Sequence, residues 1–102
     1  MSVSWEPHAA EGKERIADYI FERFGYERME QFYNDVNRTA EMIEDHPAIG
    51  PIDPLFADRQ KDYRSVIVGG LSKMVYRVDE KDIHIVAFWD CRQEPKQQIN
   101  KT

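Results

Sequence analysis

Apolar and polar residues alternate along three short runs in the second half of the chain. The runs 63–68, 73–78 and 83–89 are rich in β-branched and aromatic residues, and Gly-Gly-Leu and Asp-Glu-Lys-Asp separate them. Runs of this kind, bounded by turn residues, predict consecutive antiparallel strands. We therefore expect a three-stranded antiparallel sheet in this half of the chain.

The first half of the chain carries a helical pattern twice. Between residues 7 and 24 the apolar positions recur at spacings of one, three and four, which places them along one stripe of a helix. Pro7 suits the first turn of that helix, and Gly25 suits its end. A second apolar stripe runs through residues 26–45 and stops before Pro47. Two helices joined by one glycine predict an antiparallel hairpin.

Together these elements predict one α+β domain over residues 1–102. Residues 2–5 alternate weakly and read as a short strand added to the edge of the sheet. We expect this N-terminal strand and the helical hairpin to pack with one face of an antiparallel β-sheet. A length of 102 residues with 41% hydrophobic residues suits a single core. The polar residues 96–102 are predicted to form a flexible tail.

A proline-rich connector lies between the second helix and the sheet. Three prolines make the segment 46–58 stiff. We expect its apolar side chains to hold it against the body of the domain; they are Ile49, Ile52, Leu55 and Phe56.

Side chains on a strand alternate between two faces, so each predicted strand divides into two sets. One set is almost wholly apolar and is predicted to face the helices: Tyr63, Ser65, Ile67, Met74, Tyr76, Val78, Ile83, Ile85, Ala87 and Trp89. The other set would form an open face, and five of its apolar members have no remaining chain to cover them: Val66, Val68, Val75, Val86 and Phe88. Contiguous exposed apolar surface marks a protein-binding site. We predict that these five residues bind a partner protein.

The same open face gathers cations. Residues 1–58 carry a net charge of −8 and residues 59–102 a net charge of +3, although the whole chain is acidic at −5. Overall acidity argues against nonspecific binding to a phosphate backbone. The cations and their titratable neighbours are Arg64, Lys73, Arg77, His84, Asp90 and Arg92. Such a set could hold phosphates and support general acid–base cleavage of RNA. The alternative is that Arg64 and Arg77 pair across strands with Asp62, Asp79 or Asp90.

The sequence offers little for other chemistry. His8, His46 and His84 fall in separate elements and a lone Cys91 adds no ligand pair, so we expect no metal site and no cofactor. Gly69-Gly70 lies in a predicted hairpin turn, not in a phosphate-binding loop. A single cysteine fits a reducing compartment. The chain shows no apolar run long enough for a membrane span and no signal-peptide pattern, so we expect a cytoplasmic protein.

Several segments resemble the RelE/ParE superfamily of bacterial toxins from type II toxin–antitoxin systems. The resemblance covers nearly the whole chain. The matching segments are Trp5 with the following helix, His46-Pro47, Gly50, Tyr63-Arg64-Ser65, Val75-Tyr76-Arg77-Val78, and Trp89-Asp90-Cys91-Arg92 with Pro95. The resemblance implies a helical hairpin packed on an antiparallel sheet and a cognate antitoxin that wraps the toxin. It leaves open a homodimer or a toxin–antitoxin hetero-oligomer.

Two activities follow from this resemblance. RelE-like members cut ribosome-bound mRNA, and for them the catalytic candidates here are Arg64, Lys73, Arg77 and Arg92. The terminal tyrosine of that branch is absent after Arg92. ParE-like members, which the segment from Tyr63 onward resembles more closely, inhibit DNA gyrase without a catalytic set. We therefore predict a plasmid-stabilisation-type toxin that inhibits gyrase, with mRNA endonuclease activity as the alternative. An inactive relative that keeps only antitoxin binding is a third hypothesis.

Overall fold

The computed structural model describes residues 2–91 and has two helices packed on one face of a four-stranded sheet. The elements, in chain order, are β1 (Ser2–Trp5), α1 (Pro7–Phe24), α2 (Tyr26–Asp45), a short 3-10 helix (Pro54–Phe56), β2 (Tyr63–Val68), β3 (Ser72–Val78) and β4 (Asp82–Asp90). The predicted α+β architecture is confirmed, and both helices have the predicted bounds. The predicted tail at 96–102 and the candidate Arg92 lie outside the described residues.

The strand order in the sheet is β1-β4-β3-β2. The two hairpins β2–β3 and β3–β4 are antiparallel, as predicted. The N-terminal strand joins the edge as predicted, but it runs parallel to β4, with Val3 opposite Ile83. Parallel neighbours need a long crossover connection, and the helical hairpin with β2 and β3 supplies it. The sheet is therefore mixed.

The division of the strands into two faces was predicted wrongly for β2 and for the end of β4. Arg64 lies opposite Tyr76 on β3, so the even-numbered residues of β2 share the face of Tyr76, which points toward the helices. On β4 the register shifts: Val75 is opposite Ala87, but Tyr76 is opposite Ile85. The residue between, Val86, is the extra residue of a β-bulge, which reverses the faces of all later residues of β4.

The main core lies between the helices and the sheet. Buried residues of both helices pack there against apolar side chains of the strands: Ala9, Ala17, Phe32, Val36 and Ile43 against Val68, Met74, Tyr76, Ile83, Ile85 and Phe88. Helix α1 crosses β4 in direct contact at Gly12. A Cβ atom at Gly12 would lie 2.1 Å from the carbonyl oxygen of Phe88. Only a glycine permits this close approach.

A smaller core covers the opposite face of the sheet, which we call the outer face. It comprises Phe56, Tyr63, Val75, Val86, Ala87 and Trp89. Phe56 reaches it from the connector and stacks on Tyr63, with ring centroids 5.1 Å apart. The expectation that four apolar residues anchor the connector holds for Phe56 alone, since Ile49, Ile52 and Leu55 are exposed.

Polar contacts hold the start of the connector against the edge of the sheet. The hydroxyl of Tyr76 donates to the carbonyl of Pro47 at 2.7 Å and accepts from the N–H of Gly50 at 3.0 Å. The guanidinium of Arg64 donates to the carbonyl of Gly50 at 2.8 Å. Burial raises the pKa of Tyr76, so its hydroxyl stays protonated and keeps donating. The connector is therefore a fixed part of the domain.

Candidate functional site

The predicted cationic cluster divides between the two faces of the sheet. Lys73, Arg77 and His84 lie on the outer face, as predicted. Arg64 projects from the helix side and binds the carbonyl of Gly50, so it cannot act together with the other three. The prediction that all four share one face is wrong, because the register between β2 and β3 sets the face of Arg64.

Lys73 is engaged by a buried carboxylate. Its Nζ lies 2.6 Å from Oδ2 of Asp53, and Asp53 is only 1% exposed. The same ammonium lies 5.4 Å from the centroid of the Trp89 ring. Both contacts hold the charge inside the outer core. Lys73 therefore acts as an anchor for the connector in this structure.

Arg77 and His84 are cross-strand neighbours between two carboxylates. His84 Nε2 lies 3.2 Å from Asp79 Oδ2, and His84 Nδ1 lies 3.6 Å from Glu6 Oε1. Arg77 lies 3.6 Å from Asp79 Oδ2 and 3.9 Å from Glu6 Oε1. Lys61 reaches Asp79 from the loop just before β2, and this hydrogen bond is the main reason why the pKa of Asp79 lies below its ordinary value. We call these five residues the charge network.

The charge network limits what the outer face can do chemically. Arg77 does contact Asp79, one of the three carboxylates named for it, but Asp79 directly follows β3, so the pair lies along one strand and not across two as expected. Within residues 2–91, the three cations of the predicted catalytic set, Arg64, Lys73 and Arg77, each contact an oxygen acceptor of their own chain. A cation can clamp a substrate phosphate only after leaving such a partner. The described part of the site therefore resembles a structural ion-pair network more than a phosphate clamp.

The five residues predicted to form a partner-binding surface do not form one. Val68 and Phe88 are buried in the main core, and the partly buried Val66 packs against it. Val75 and Val86 point to the outer face, where they are 0% and 3% exposed in the outer core. The expectation failed because the bulge in β4 and the register of β2 distribute these side chains over both faces, and the connector covers the outer ones.

An apolar depression at one end of the molecule was not predicted. It encloses about 280 Å³ between the two helices and the end of the sheet at the β2–β3 turn. We call it the end groove; its lining residues are Ile16, Tyr19, Ile20, Phe24, Arg28, Gln31, Phe32, Asp35, Val68, Gly69, Leu71, Ser72 and Asp90. No single segment of the sequence signals it, because its lining comes from both helices, the β2–β3 turn and the end of β4.

The rim of the end groove concentrates exposed large apolar side chains. Tyr19, Phe24 and Leu71 are 43%, 56% and 59% exposed. Phe21 and Tyr26 add further exposed aromatic surface beside the hairpin turn at Gly25. Aromatic side chains are enriched in the centres of protein interfaces. This end of the molecule therefore has the character of a protein-binding surface.

Two further classes of site can be assessed over the described residues. Between residues 2 and 91, His, Cys, Asp and Glu side chains form no group of three or more that could hold a metal ion. Neither described helix is long and apolar enough to cross a membrane.

Comparison with known proteins identifies a family. The family model described as the ParE toxin of the type II toxin–antitoxin system parDE matches residues 3–95. A solved structure described as the chromosomal ParDE TA system from P. aeruginosa is similar, with a TM-score of 0.71 and 20% sequence identity. The alignment covers 88% of this chain and 95% of that chain, and at this identity it shows a shared fold. A search of curated proteins found no match.

Proposed function

The chain belongs to the ParE toxin family of type II toxin–antitoxin systems, and from that membership we propose that this type II toxin inhibits DNA gyrase and is neutralised by a cognate antitoxin. The proposed mechanism is binding to the target, without cleavage of RNA. It treats the predicted cationic residues as structural groups and the apolar end of the molecule as the surface that binds the antitoxin.

The observation that carries this proposal is that the predicted catalytic cations within the described residues contact acceptors of their own chain. Lys73 pairs with the buried Asp53, and Arg77 lies between Glu6 and Asp79. Arg64 is on the opposite face. Cleavage of RNA by charge stabilisation needs cations aimed at the position of the phosphate. Because the described cations are instead aimed at acceptors of their own chain, binding is the better supported mechanism.

An antitoxin partner is supported by the similar structure from P. aeruginosa, which is described as a ParDE TA system. We place the antitoxin contact at the end groove, not at the five residues expected from the sequence. The groove is apolar at its floor, where Phe32 and Val68 are buried, and aromatic at its rim. An amphipathic helix laid into such a groove buries its apolar face while its polar face stays in water.

Pulse expression in a bacterial host tests the choice of target. Incorporation of labelled thymidine and labelled amino acids is followed separately after induction. We expect thymidine incorporation to stop first and the cells to become filamentous, because gyrase is needed for replication. An early stop in amino-acid incorporation instead would point to mRNA cleavage and contradict the gyrase proposal. Normal growth with normal levels of folded protein would point to an inactive relative.

The antitoxin contact is tested by co-expression with the product of the neighbouring short reading frame. We expect Leu71→Asp to keep toxicity and to lose rescue by that product, because Leu71 is 59% exposed and lies on the groove rim. The matched control is Leu55→Asp, an apolar residue that is 37% exposed on the connector. Equal rescue of the two variants would place the antitoxin elsewhere.

A further inference from the structure

The last strand of the sheet brings the chain to the rim of the end groove. β4 ends at Asp90, and the N–H of the next residue, Cys91, donates to the carbonyl of Leu71 at 2.8 Å. Asp90 and Leu71 both line the end groove. The chain that follows Cys91 therefore starts at the rim of the groove.

The residues that follow, 92–102, lie outside the described part of the chain, and their sequence is RQEPKQQINKT. An extended chain covers about 3.3 Å per residue, so this segment can reach about 36 Å. On the α2 side of the groove, Arg28 and Asp35 are seven residues apart, which is about 10 Å along the helix axis. Segment 92–102 is therefore long enough to cross the groove from the β2–β3 turn to the hairpin turn.

The charge of segment 92–102 is opposite to that of the groove walls. The segment carries three Lys or Arg against one Glu, a net charge of +2. The two helices, residues 7–45, carry five Lys or Arg against ten Asp or Glu, a net charge of −5. Unscreened attraction between such groups acts over about 8 Å at physiological ionic strength, which is comparable with the size of the groove. Charge complementarity therefore favours this segment as an occupant.

The segment also offers a side chain for the apolar floor of the groove. Ile99 is its one aliphatic side chain apart from Pro95. The floor of the groove has the buried Phe32 and Val68. Lysine side chains on either side of Ile99 can lay their aliphatic stems along the aromatic rim while the ammonium groups stay beside the helix carboxylates.

We propose that segment 92–102 folds back over the end groove and covers it in the free chain, with Ile99 on the apolar floor. A segment tethered at the rim of the groove is present there at an effective concentration on the order of millimolar. A contact of about millimolar strength then covers the groove in about half of the molecules. A weak contact is therefore sufficient for this role.

The cover gives the groove a regulatory role, and this part of the inference rests on the proposed function. The antitoxin, placed in the same groove, has to displace segment 92–102 before it binds. Covering about half of the molecules raises the apparent dissociation constant of the antitoxin about twofold, and covering about nine in ten raises it about tenfold. Toxin that is free of antitoxin would shield its apolar groove with its own chain.

Disulfide trapping in the full chain tests the cover. Asn100→Cys is combined with Gln31→Cys in a Cys91→Ser background, because Gln31 is exposed and lines the groove. Two cysteines form a disulfide only when their Cα atoms come within about 7 Å, so the rate of closure reports how often the segment lies in the groove. The rate is measured in a glutathione redox buffer by the loss of free thiols.

The matched control pairs Asn100→Cys with Glu41→Cys, an exposed position on the same helix that does not line the groove. Asp35 lies at the β2–β3 turn, since a Cβ atom at Gly69 would be 3.8 Å from its Oδ2. Gln31 and Glu41 are about 6 Å and about 9 Å from Asp35 along the axis, in opposite directions, so both are near the start of the segment. We expect the Gln31 pair to close at least about tenfold faster.

Two variants of the Gln31 pair show whether the proposed contacts hold the segment. Ile99→Asp, and separately Lys96→Glu/Lys101→Glu, should lower the rate of closure to about that of the Glu41 control. Circular dichroism should stay unchanged, because the substituted positions are exposed or lie outside the helices and strands. Equal rates for the two cysteine pairs, or a Gln31 pair unaffected by Ile99→Asp, would overturn the proposal. Disulfides that join two chains, seen as a doubled mass, would assign the groove to a second copy and also overturn it.

A separate measurement tests the regulatory part. Ile99→Asp in the otherwise natural chain should bind the product of the neighbouring reading frame at least about twofold more tightly. Unchanged affinity, in a chain whose cover is shown by trapping, would overturn the competition with the antitoxin. Since the trapping assay needs no antitoxin and no gyrase, its failure is separate from failure of the labelling experiment.

Discussion

Asp53 and Lys73 form an ion pair beneath the connector, with 2.6 Å between Oδ2 and Nζ. The other carboxylate oxygen of Asp53 accepts the N–H of Leu55 at 2.9 Å and so caps the 3-10 helix. One carboxylate, 1% exposed, therefore fixes both the local turn and its position on β3. This pair explains why the sheet face opposite the helices is closed by the connector and not open to a partner.

Replacing Lys73 with Met tests this anchoring role. The substitution keeps the aliphatic stem but leaves the Asp53 carboxylate buried without its cation, which costs about 3 kcal/mol of the free energy of unfolding. Urea unfolding measures the loss. Adding Asp53→Asn to Lys73→Met removes the uncompensated charge and should recover part of the stability. Substitutions of exposed residues usually change stability by less than about 0.5 kcal/mol. If Lys73→Met has an effect as small as that, the Asp53–Lys73 pair is not an anchor.

A second prediction concerns Gly12, where α1 touches β4. Glycine to alanine in a helix normally stabilises by about 1 kcal/mol. Here the added Cβ would lie 2.1 Å from the Phe88 carbonyl oxygen, so Gly12→Ala should destabilise the protein by about 2 kcal/mol or more, because the helix must move off the sheet. Thermal unfolding of Gly12→Ala measures whether the substitution raises or lowers the stability of the protein. Lys13→Ala, one residue along the same helix, serves as the comparison. A rise in melting temperature for Gly12→Ala would show that α1 and β4 are packed less tightly at Gly12 than the 2.1 Å distance indicates.

Stability at alkaline pH should depend on Tyr33. Its hydroxyl donates to Glu14 Oε2 at 2.6 Å and joins the two helices. That hydrogen bond, with help from burial and from the Glu14 charge, raises the pKa of Tyr33 from 10.0 to about 12. A pKa raised in the folded state means that this stabilisation is complete below the unfolded value and is lost as the pH rises through the folded one.

The stabilisation by the Tyr33 hydroxyl is therefore lost between pH 10.0 and about 12. Denaturant unfolding on both sides of this window should show a larger loss of stability for the natural chain than for Tyr33→Phe, which has no hydroxyl to ionise. Identical pH profiles for the two proteins would mean that the Tyr33–Glu14 bond does not contribute to folding.

Growth arrest should survive removal of the central cations of the charge network. If toxicity comes from binding through another surface, the double variant Arg77→Gln/His84→Gln should arrest growth within about twofold of the natural chain. The pairs it removes are partly exposed, so the loss of stability should stay within about 1 kcal/mol. Viable-cell counts after induction measure toxicity, and thermal unfolding confirms the fold. Full loss of toxicity in a stable double variant would restore the nuclease hypothesis.

The elements of the fold were predictable because local patterns specify them. Both helices have the bounds predicted from Pro7, Gly25 and the spacing of apolar residues. The three hairpin strands lie where the β-branched runs predicted them. The parallel direction of β1 was not predictable, because a four-residue strand carries no signal for the orientation of its neighbour.

The site was harder to predict than the fold. The face of Arg64 depends on its register against Tyr76, and the faces of Phe88 and Trp89 depend on the extra residue Val86. A one-residue shift moves every later side chain to the other face, so a small error in register misplaces a whole surface. The end groove depends on how the two helices pack against the β2–β3 turn and the end of β4, which is a property of the packed layers and not of any one segment.

Supercoiling by purified DNA gyrase tests the central claim most directly. The purified toxin is added to gyrase and relaxed plasmid, with and without the product of the neighbouring reading frame. We expect the toxin to block supercoiling at about equimolar concentration with gyrase, and an equimolar amount of a high-affinity antitoxin to restore it. Supercoiling that continues unchanged at a large excess of folded toxin would contradict the claim that this chain inhibits gyrase by binding.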